Sequence, residues 1–413
     1  MRPLSFACRA APLALLLLSS ALVACGGGGG DDDNEDDGHI GPTPPPALSI
    51  VGRGAVTDRY TAEVSVRGDY AYTTTWSTRG ATGVGNVINV WNVSGATPTL
   101  VRSITVSDAT TLGDVQVSDD GKLLVVATER ANGSLVVFDL TSPGNPVQVS
   151  RYLSPNTTGG VHTAEVQRVN GKLYAFLSVD PSSSSPSRLT IVDLSVPAAP
   201  VEVFSQVMGS PFIHDVFVRD GILFTALWNA GLTLWDVGGG GRGGTPAAPV
   251  EIGNVRTVNG EVHNVWWFHD PATGAKRYAF VGEEGPAQLF TSSSGDIHVV
   301  DVSDMAAPRE VAFYHVANAG THNFWMNEAE GILYAAFYNA GVEALDVRGD
   351  LGACTAAQKS ADGRCDLGAT GRRLASGPTG QGAVFIWGVQ GQGDYVYASD
   401  MLNGLWKLNR ARR

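Results

Sequence analysis

The sequence predicts an all-β protein built as a seven-bladed propeller, and three observations carry that expectation. Val, Thr, Tyr, Phe and Trp alternate with polar residues in runs of four to seven, broken by Gly, Pro, Asn and Asp, and helical spacing is scarce. The passage HDVFVRDGILFTALWNAGLTLWDV (214–237) is written again as HNFWMNEAEGILYAAFYNAGVEALDV (322–347). A strand-ending segment of the same pattern then recurs along the chain: INVWN (88–92), LVVFD (135–139), LTIVD (189–193), LTLWD (232–236), IHVVD (297–301), VEALD (342–346) and LWKLN (405–409). From residue 47 onward the seven units average roughly fifty residues each, the spacing of propeller blades.

Taken from the N-terminus, residues 1–24 read as a lipoprotein signal peptide. Arg2 and Arg9 precede an apolar stretch too short to span a bilayer comfortably, and LVAC at 22–25 resembles a bacterial lipobox, which makes Cys25 the lipidated residue. Residues 25–46 continue as a Gly/Asp/Pro tract with too few apolar side chains to order itself, a tether reaching roughly 25 Å. Acylated Cys25 would place the protein on a lipid bilayer of the bacterial cell envelope. Gly26, rather than Asp, after that cysteine resembles the outer-membrane sorting class.

Residues 47–413 are the propeller. Each unit reads as four strands, A to D; in the unit that begins at His214 they are HDVFVRD, ILFTALW, LTLWDV and PVEIGNV. Pro98, Pro146, Pro200, Pro249 and Pro308 open the outer strand D, an edge position where a missing N–H costs no ladder bond. The last unit ends at Arg413 after strand C. The segment PALSIV (46–51) has the pattern of the missing strand D, so the N-terminus is expected to complete the seventh blade and remove an open sheet edge.

The LTIVD core, the Asn-Ala-Gly turns, GDIHVVDVSDMAAP (295–308) and the closing FIWGVQ (385–390) and YASDMLNGLWKL (397–408) resemble the LVIVD-repeat proteins. That resemblance covers nearly everything after residue 47. It implies a propeller and a place on a bacterial or archaeal cell surface, and no particular activity.

The formal charge is −12, and Asp31, Asp32, Asp33, Glu35, Asp36 and Asp37 supply six of the negative charges. A body so mildly acidic shows no basic surface for phosphate, which argues against nucleic acid as a partner.

Candidate chemistry gathers where strand A begins. The aligned starts are Ala62-Glu63, Gly113-Asp114, Ala164-Glu165, His214-Asp215, His263-Asn264, His322-Asn323 and Trp387-Gly388, with His162 two residues ahead of the histidine position in its unit. Near-cyclic placement turns these groups toward one mouth of a central channel. There His162, His214, His263 and His322, with Glu63, Asp114, Glu165, Asp215, Asn264 and Asn323, could hold a divalent cation: Ca²⁺ or Mg²⁺ through oxygen, Zn²⁺ or Cu²⁺ through nitrogen. The competing reading is structural, with the carboxylates and amides accepting backbone N–H bonds between blades. Glu283 and Glu284, near the B-to-C turn of the fifth unit, fall on the same face as a carboxylate pair or a solvated turn. Trp228, Tyr338 and Trp387 add aromatic surface there for a protein or glycan ligand.

Cys354 and Cys365 flank TAAQKSADGR where the sixth unit would otherwise have a Pro-led strand D, and in an oxidising envelope they are expected to pair. Taken together, these features predict a monomeric, lipid-anchored propeller that acts as a non-catalytic binding scaffold. Two alternatives stand beside it: a metal-dependent enzyme using the histidine and carboxylate ring, and a scaffold subunit of an envelope complex.

Overall fold

The computed structural model describes residues 46–413 except Thr82 and Ala131; the leader, Cys25 and all but the last residue of the tether lie outside the described residues. Seven antiparallel sheets stand around a channel, each ordered A-B-C-D from the axis outward. The inner strands A are Tyr60–Arg67, Leu112–Val117, Val161–Val169, Asp215–Arg219, Val262–Trp267, Phe324–Asn327 and Ile386–Gln392. Each packs against the inner strand of the next blade, and the last packs against the first, so the ring is closed.

Period-2 alternation explains how one strand serves two neighbours. In strand B of blade 2 (Leu123–Thr128), Leu124 and Val126 face the apolar cluster shared with blade 1. Val125 and Ala127, on the opposite face, enter the cluster shared with blade 3. Six such clusters lie between consecutive blades, and a seventh, with Trp91, Tyr397 and Leu405, seals blade 7 to blade 1.

The N-terminal closure is present, displaced by a few residues. Ile50–Ala55 pairs antiparallel with Gly404–Asn409 and completes blade 7. Pro46 and Leu48 instead bond to the outer strand of blade 6, through Leu48 N–H to Ser376 O at 2.8 Å and Ser376 N–H to Pro46 O at 3.2 Å. Leu48 drops into the core between blades 6 and 7, so the segment latches two blades before it closes the second.

The sixth blade also departs from its expected pattern. Its strand D is Arg373–Gly377, with no leading proline. The insert ahead of it crosses to blade 5, where Cys365–Asp366 adds a fifth, parallel strand to the outer edge at Ala312 and Phe313. Cys354 and Cys365 form a disulfide with Cα atoms 5.9 Å apart.

Candidate functional site

Bulges position the polar residues of the channel. Strand A shifts register near its start in blades 1, 2, 3, 5 and 7, and each extra residue turns a side chain out of strict alternation. His162 and His263 sit in two of these bulges. The outcome is two polar layers rather than one mixed ring.

The upper layer is an arc of imidazoles. Ring centroids are 4.2 Å apart from His162 to His214, 4.1 Å from His214 to His263 and 4.2 Å from His263 to His322. Trp387 continues the arc at 4.3 Å from His322. The B-to-C turns close over it. In the two Asn-Ala-Gly turns, Trp228 (φ 54°) and Tyr338 (φ 36°) both take left-handed backbone, a strained state for an aromatic residue. That conformation stacks Trp228 on His214 at 5.3 Å and sets Tyr338 edge-on to His322 at 5.0 Å. Farther up, Phe290 on the long turn of blade 5 reaches Tyr60 of blade 1 and Phe385 of blade 7, which carries that turn across the mouth.

Glu284 projects into this arc, with Oε2 3.4 Å from His214 Nε2 and 3.7 Å from His263 Nε2, and it accepts the Tyr338 hydroxyl on Oε1. Glu283 leaves on the other face of the strand. Its carboxylate lies 3.2 Å from His298 Nε2, inside blade 5, so the two glutamates do not form a pair. At the other end of the arc, His162 Nδ1 is 3.4 Å from Asp180 Oδ2 and 3.9 Å from Glu129 Oε1. Neither Glu129 nor Asp180 was singled out in the sequence. Each is the first residue after its strand B, the position Glu284 holds in blade 5, and aligning the B-to-C turns would have found both.

Burial decides the charge of these groups. It drives His322 down to about 3 and His263 well below its ordinary value, and, with His162 alongside, it depresses His214. Burial also opposes a charge on His162, but the carboxylates of Asp180 and Glu129 outweigh it and raise that imidazole to about 10. Glu129 is pushed up to about 7 by burial. For Glu284, burial is outweighed by the imidazoles of His263 and His214, which hold the carboxyl well below its usual range. His263 is 2% exposed and neither of its nitrogens has a hydrogen-bond partner among the described residues. His214 Nδ1, His162 Nδ1 and Glu129 Oε1 are likewise buried without one, a cost of about 1–3 kcal/mol for each such group.

The lower layer joins blades. Asp114 accepts Val115 N–H at 2.7 Å on one oxygen and Ala164 N–H of the next blade at 3.0 Å on the other. Gln116 of blade 2 donates to Glu165 of blade 3 at 2.9 Å, and Val216 N–H bonds Asp215 at 2.7 Å. Glu63 of blade 1 leans over Gly388 of blade 7 to accept the Asn323 amide of blade 6. Asn264 is buried, its Oδ1 unpartnered. Burial and mutual repulsion push Glu63 up to about 8 and Asp215 to about 7, and they raise Glu165 well above the usual range. Desolvation likewise raises Asp114. Both layers line one channel of about 570 Å³, and at its lower mouth Phe217, Trp266 and Trp325 stand beside the Arg219–Glu328 ion pair.

The family model of the LVIVD repeat matches residues 58–77, strands A and B of blade 1, and residues 185–207, strands C and D of blade 3. Those matches and the seven blades fit the resemblance drawn from the repeats. Among solved structures, the chain is similar to the C-terminal WD40 domain of Sif2, at 12% identity and a TM-score of 0.51, over 88% of this chain and 86% of that one. At that identity the likeness shows the fold alone. No curated protein matches this chain.

Proposed function

We propose that this protein is a lipid-anchored binding module of the bacterial envelope. The propeller gives it a rigid closed body, and the observation that carries the reading is its channel. About 570 Å³ of space is lined by polar groups and ends in a mouth of partly exposed aromatics, Phe217, Trp266 and Trp325, where a peptide or glycan can stack. Anchoring rests on the LVAC context of Cys25 and on the Gly/Asp/Pro tract that follows it.

The two halves of the proposal have separate tests. Cys25→Ser is expected to move the protein from the membrane fraction to the soluble fraction; a variant still retained on membranes would refute the anchor. For binding, the full chain is recovered from solubilised envelopes with its bound molecules, beside Trp266→Ala. A protein or glycan that co-purifies in stoichiometric amount and is lost in the variant supports the channel mouth as its site. Recovery unchanged by the variant, or no companion at all, overturns it.

A further inference from the structure

The imidazole arc has the geometry of a metal centre. In a tetrahedral site with ligand bonds of 2.0–2.1 Å, two ligand atoms stand about 3.3 Å apart. His214 Nε2 and His263 Nε2 lie 3.4 and 3.7 Å from one oxygen of Glu284, near that spacing. The neighbouring group repeats it, with His162 Nδ1 at 3.4 Å from Asp180 and 3.9 Å from Glu129. Within each triad the three ligand atoms all lie within 4.8 Å of one another.

A structural role for these histidines is answered by the same molecule. His298, fully buried in blade 5, places both nitrogens on carboxylates, Nδ1 at 2.7 Å from Glu310 and Nε2 at 3.2 Å from Glu283. His263 is as buried and has neither nitrogen bonded, while its neighbours in the arc leave His214 Nδ1, His162 Nδ1 and Glu129 Oε1 unpartnered. We propose that the two clusters are metal sites: one divalent transition-metal ion on His214 Nε2, His263 Nε2 and Glu284, and a second on Glu129, His162 and Asp180, where the metal replaces the proton of His162.

The supporting residues suit that assignment. Tyr338 donates to Glu284 Oε1, which orients the carboxylate and leaves Oε2 toward the imidazoles. Next in the arc, His322 Nδ1 bonds the Trp387 carbonyl at 2.6 Å, which fixes its tautomer and leaves Nε2 as a lone-pair nitrogen. Mixed nitrogen and oxygen donors, three to a site, select Zn²⁺, Co²⁺, Ni²⁺ or Cu²⁺ over Ca²⁺ and Mg²⁺, which require more oxygens. Three protein ligands leave a coordination position for water or a bound molecule, and an enzymatic role would operate there. The assignment does not rest on membrane anchoring or on a partner at the lower mouth.

The test uses the purified full chain, stripped with chelator and titrated with Zn²⁺ by calorimetry, with elemental analysis after gel filtration and Co²⁺ as a spectroscopic substitute. Two ions per chain are expected, together with the intense visible bands of low-coordinate Co²⁺ and a higher melting temperature when loaded. His263→Gln and Glu129→Gln should each lower the stoichiometry to one. The double variant should bind none, and His315→Gln, an exposed control, should still bind two. Wild-type protein that retains no ion and shows no Co²⁺ bands overturns the assignment without reference to any variant. One ion lost only in His263→Gln overturns the second triad, and ions retained in the double variant overturn both.

Discussion

At the scale of single residues, the lower layer of the channel shows how one position controls both packing and charge. A Cβ on Gly388 would stand 1.9 Å from Glu63 Oε1 and 2.6 Å from its Cδ, so Gly388→Ala must displace a buried carboxyl. Overpacking of that kind costs about 1–3 kcal/mol, to be read from chemical denaturation. Glu63 itself has a folded pKa of about 8 against an ordinary value of 4.5, raised first by burial and then by Asp114. A carboxyl shifted upward binds its proton more tightly in the folded state. Its contribution is therefore complete below pH 4.5 and is lost as pH rises through 8. The difference in unfolding free energy between wild type and Glu63→Gln should accordingly swing toward the variant by a few kcal/mol between pH 5 and pH 9, since a tenfold difference in proton affinity between the folded and unfolded states is worth about 1.4 kcal/mol. A difference that is flat over that range would mean Glu63 is ionised in the folded protein.

At the scale of elements, two segments are joined to the ring by pairings that are long-range in sequence. Ile50–Ala55 supplies the outer strand of blade 7, with Leu48 buried at the previous blade boundary and Gly54 lying against Trp91 of blade 1. Removing residues 46–55 exposes an edge and opens that core, so the melting temperature should fall by far more than on removing residues 26–40. Equal effects from the two deletions would show that closure contributes nothing. The insert of blade 6 is held by the Cys354–Cys365 bridge and by its short parallel pairing with blade 5. Arg364 on the insert also meets Glu310 in the His298 network. Closing so short a loop is worth up to about 3 kcal/mol. Replacing both cysteines by Ser should destabilise the protein within that limit and raise hydrogen exchange first at Arg309–Tyr314. Unchanged protection there would mean the insert does not cover that edge.

For the whole molecule, the ring has one seam. Six boundaries join blades that are consecutive in sequence, whereas the boundary between blades 7 and 1 brings together the two ends of the propeller. Its main apolar cluster has eight buried residues against eighteen between blades 5 and 6, and a small second one brings Phe385 and Met401 of blade 7 to Tyr60 and Trp76 of blade 1. Polar bonds supplement them. Lys407, 2% exposed, donates across the seam to Val93 O at 2.8 Å and Gly95 O at 2.7 Å. Lys407→Met keeps the stem and leaves two carbonyls unpaired, a loss of about 2–4 kcal/mol for two bonds to a charged donor. Native-state hydrogen exchange should find Tyr60–Arg67 and Gly404–Asn409 among the first strands to open, and earlier still in Lys407→Met. Uniform protection of all seven inner strands would show that the ring has no weak boundary.

Much of this architecture was legible in the chain because it is local and periodic. Alternation such as Leu124, Val125, Val126 and Ala127 encodes a strand buried on both faces, and the recurring LTLWD-type segment marks each blade whatever surrounds it. The seven-unit count and the lone strand at the N-terminus then imply closure without any knowledge of contacts. The site was only partly legible. His214, His263 and His322 recur at one aligned position, but whether an imidazole shares a layer with the adjacent carboxylate depends on bulges and strand register, where a shift of one residue redirects a side chain. Register also parts Glu284 from Glu283. Aligning the B-to-C turns places Glu129 and Asp180 on the channel face, but that both reach His162 depends on a turn of blade 2 and a turn of blade 3 meeting at one arc of the channel. The path of the disulfide insert was decided in the same way, by an open outer edge on blade 5 within reach of a loop that belongs to blade 6.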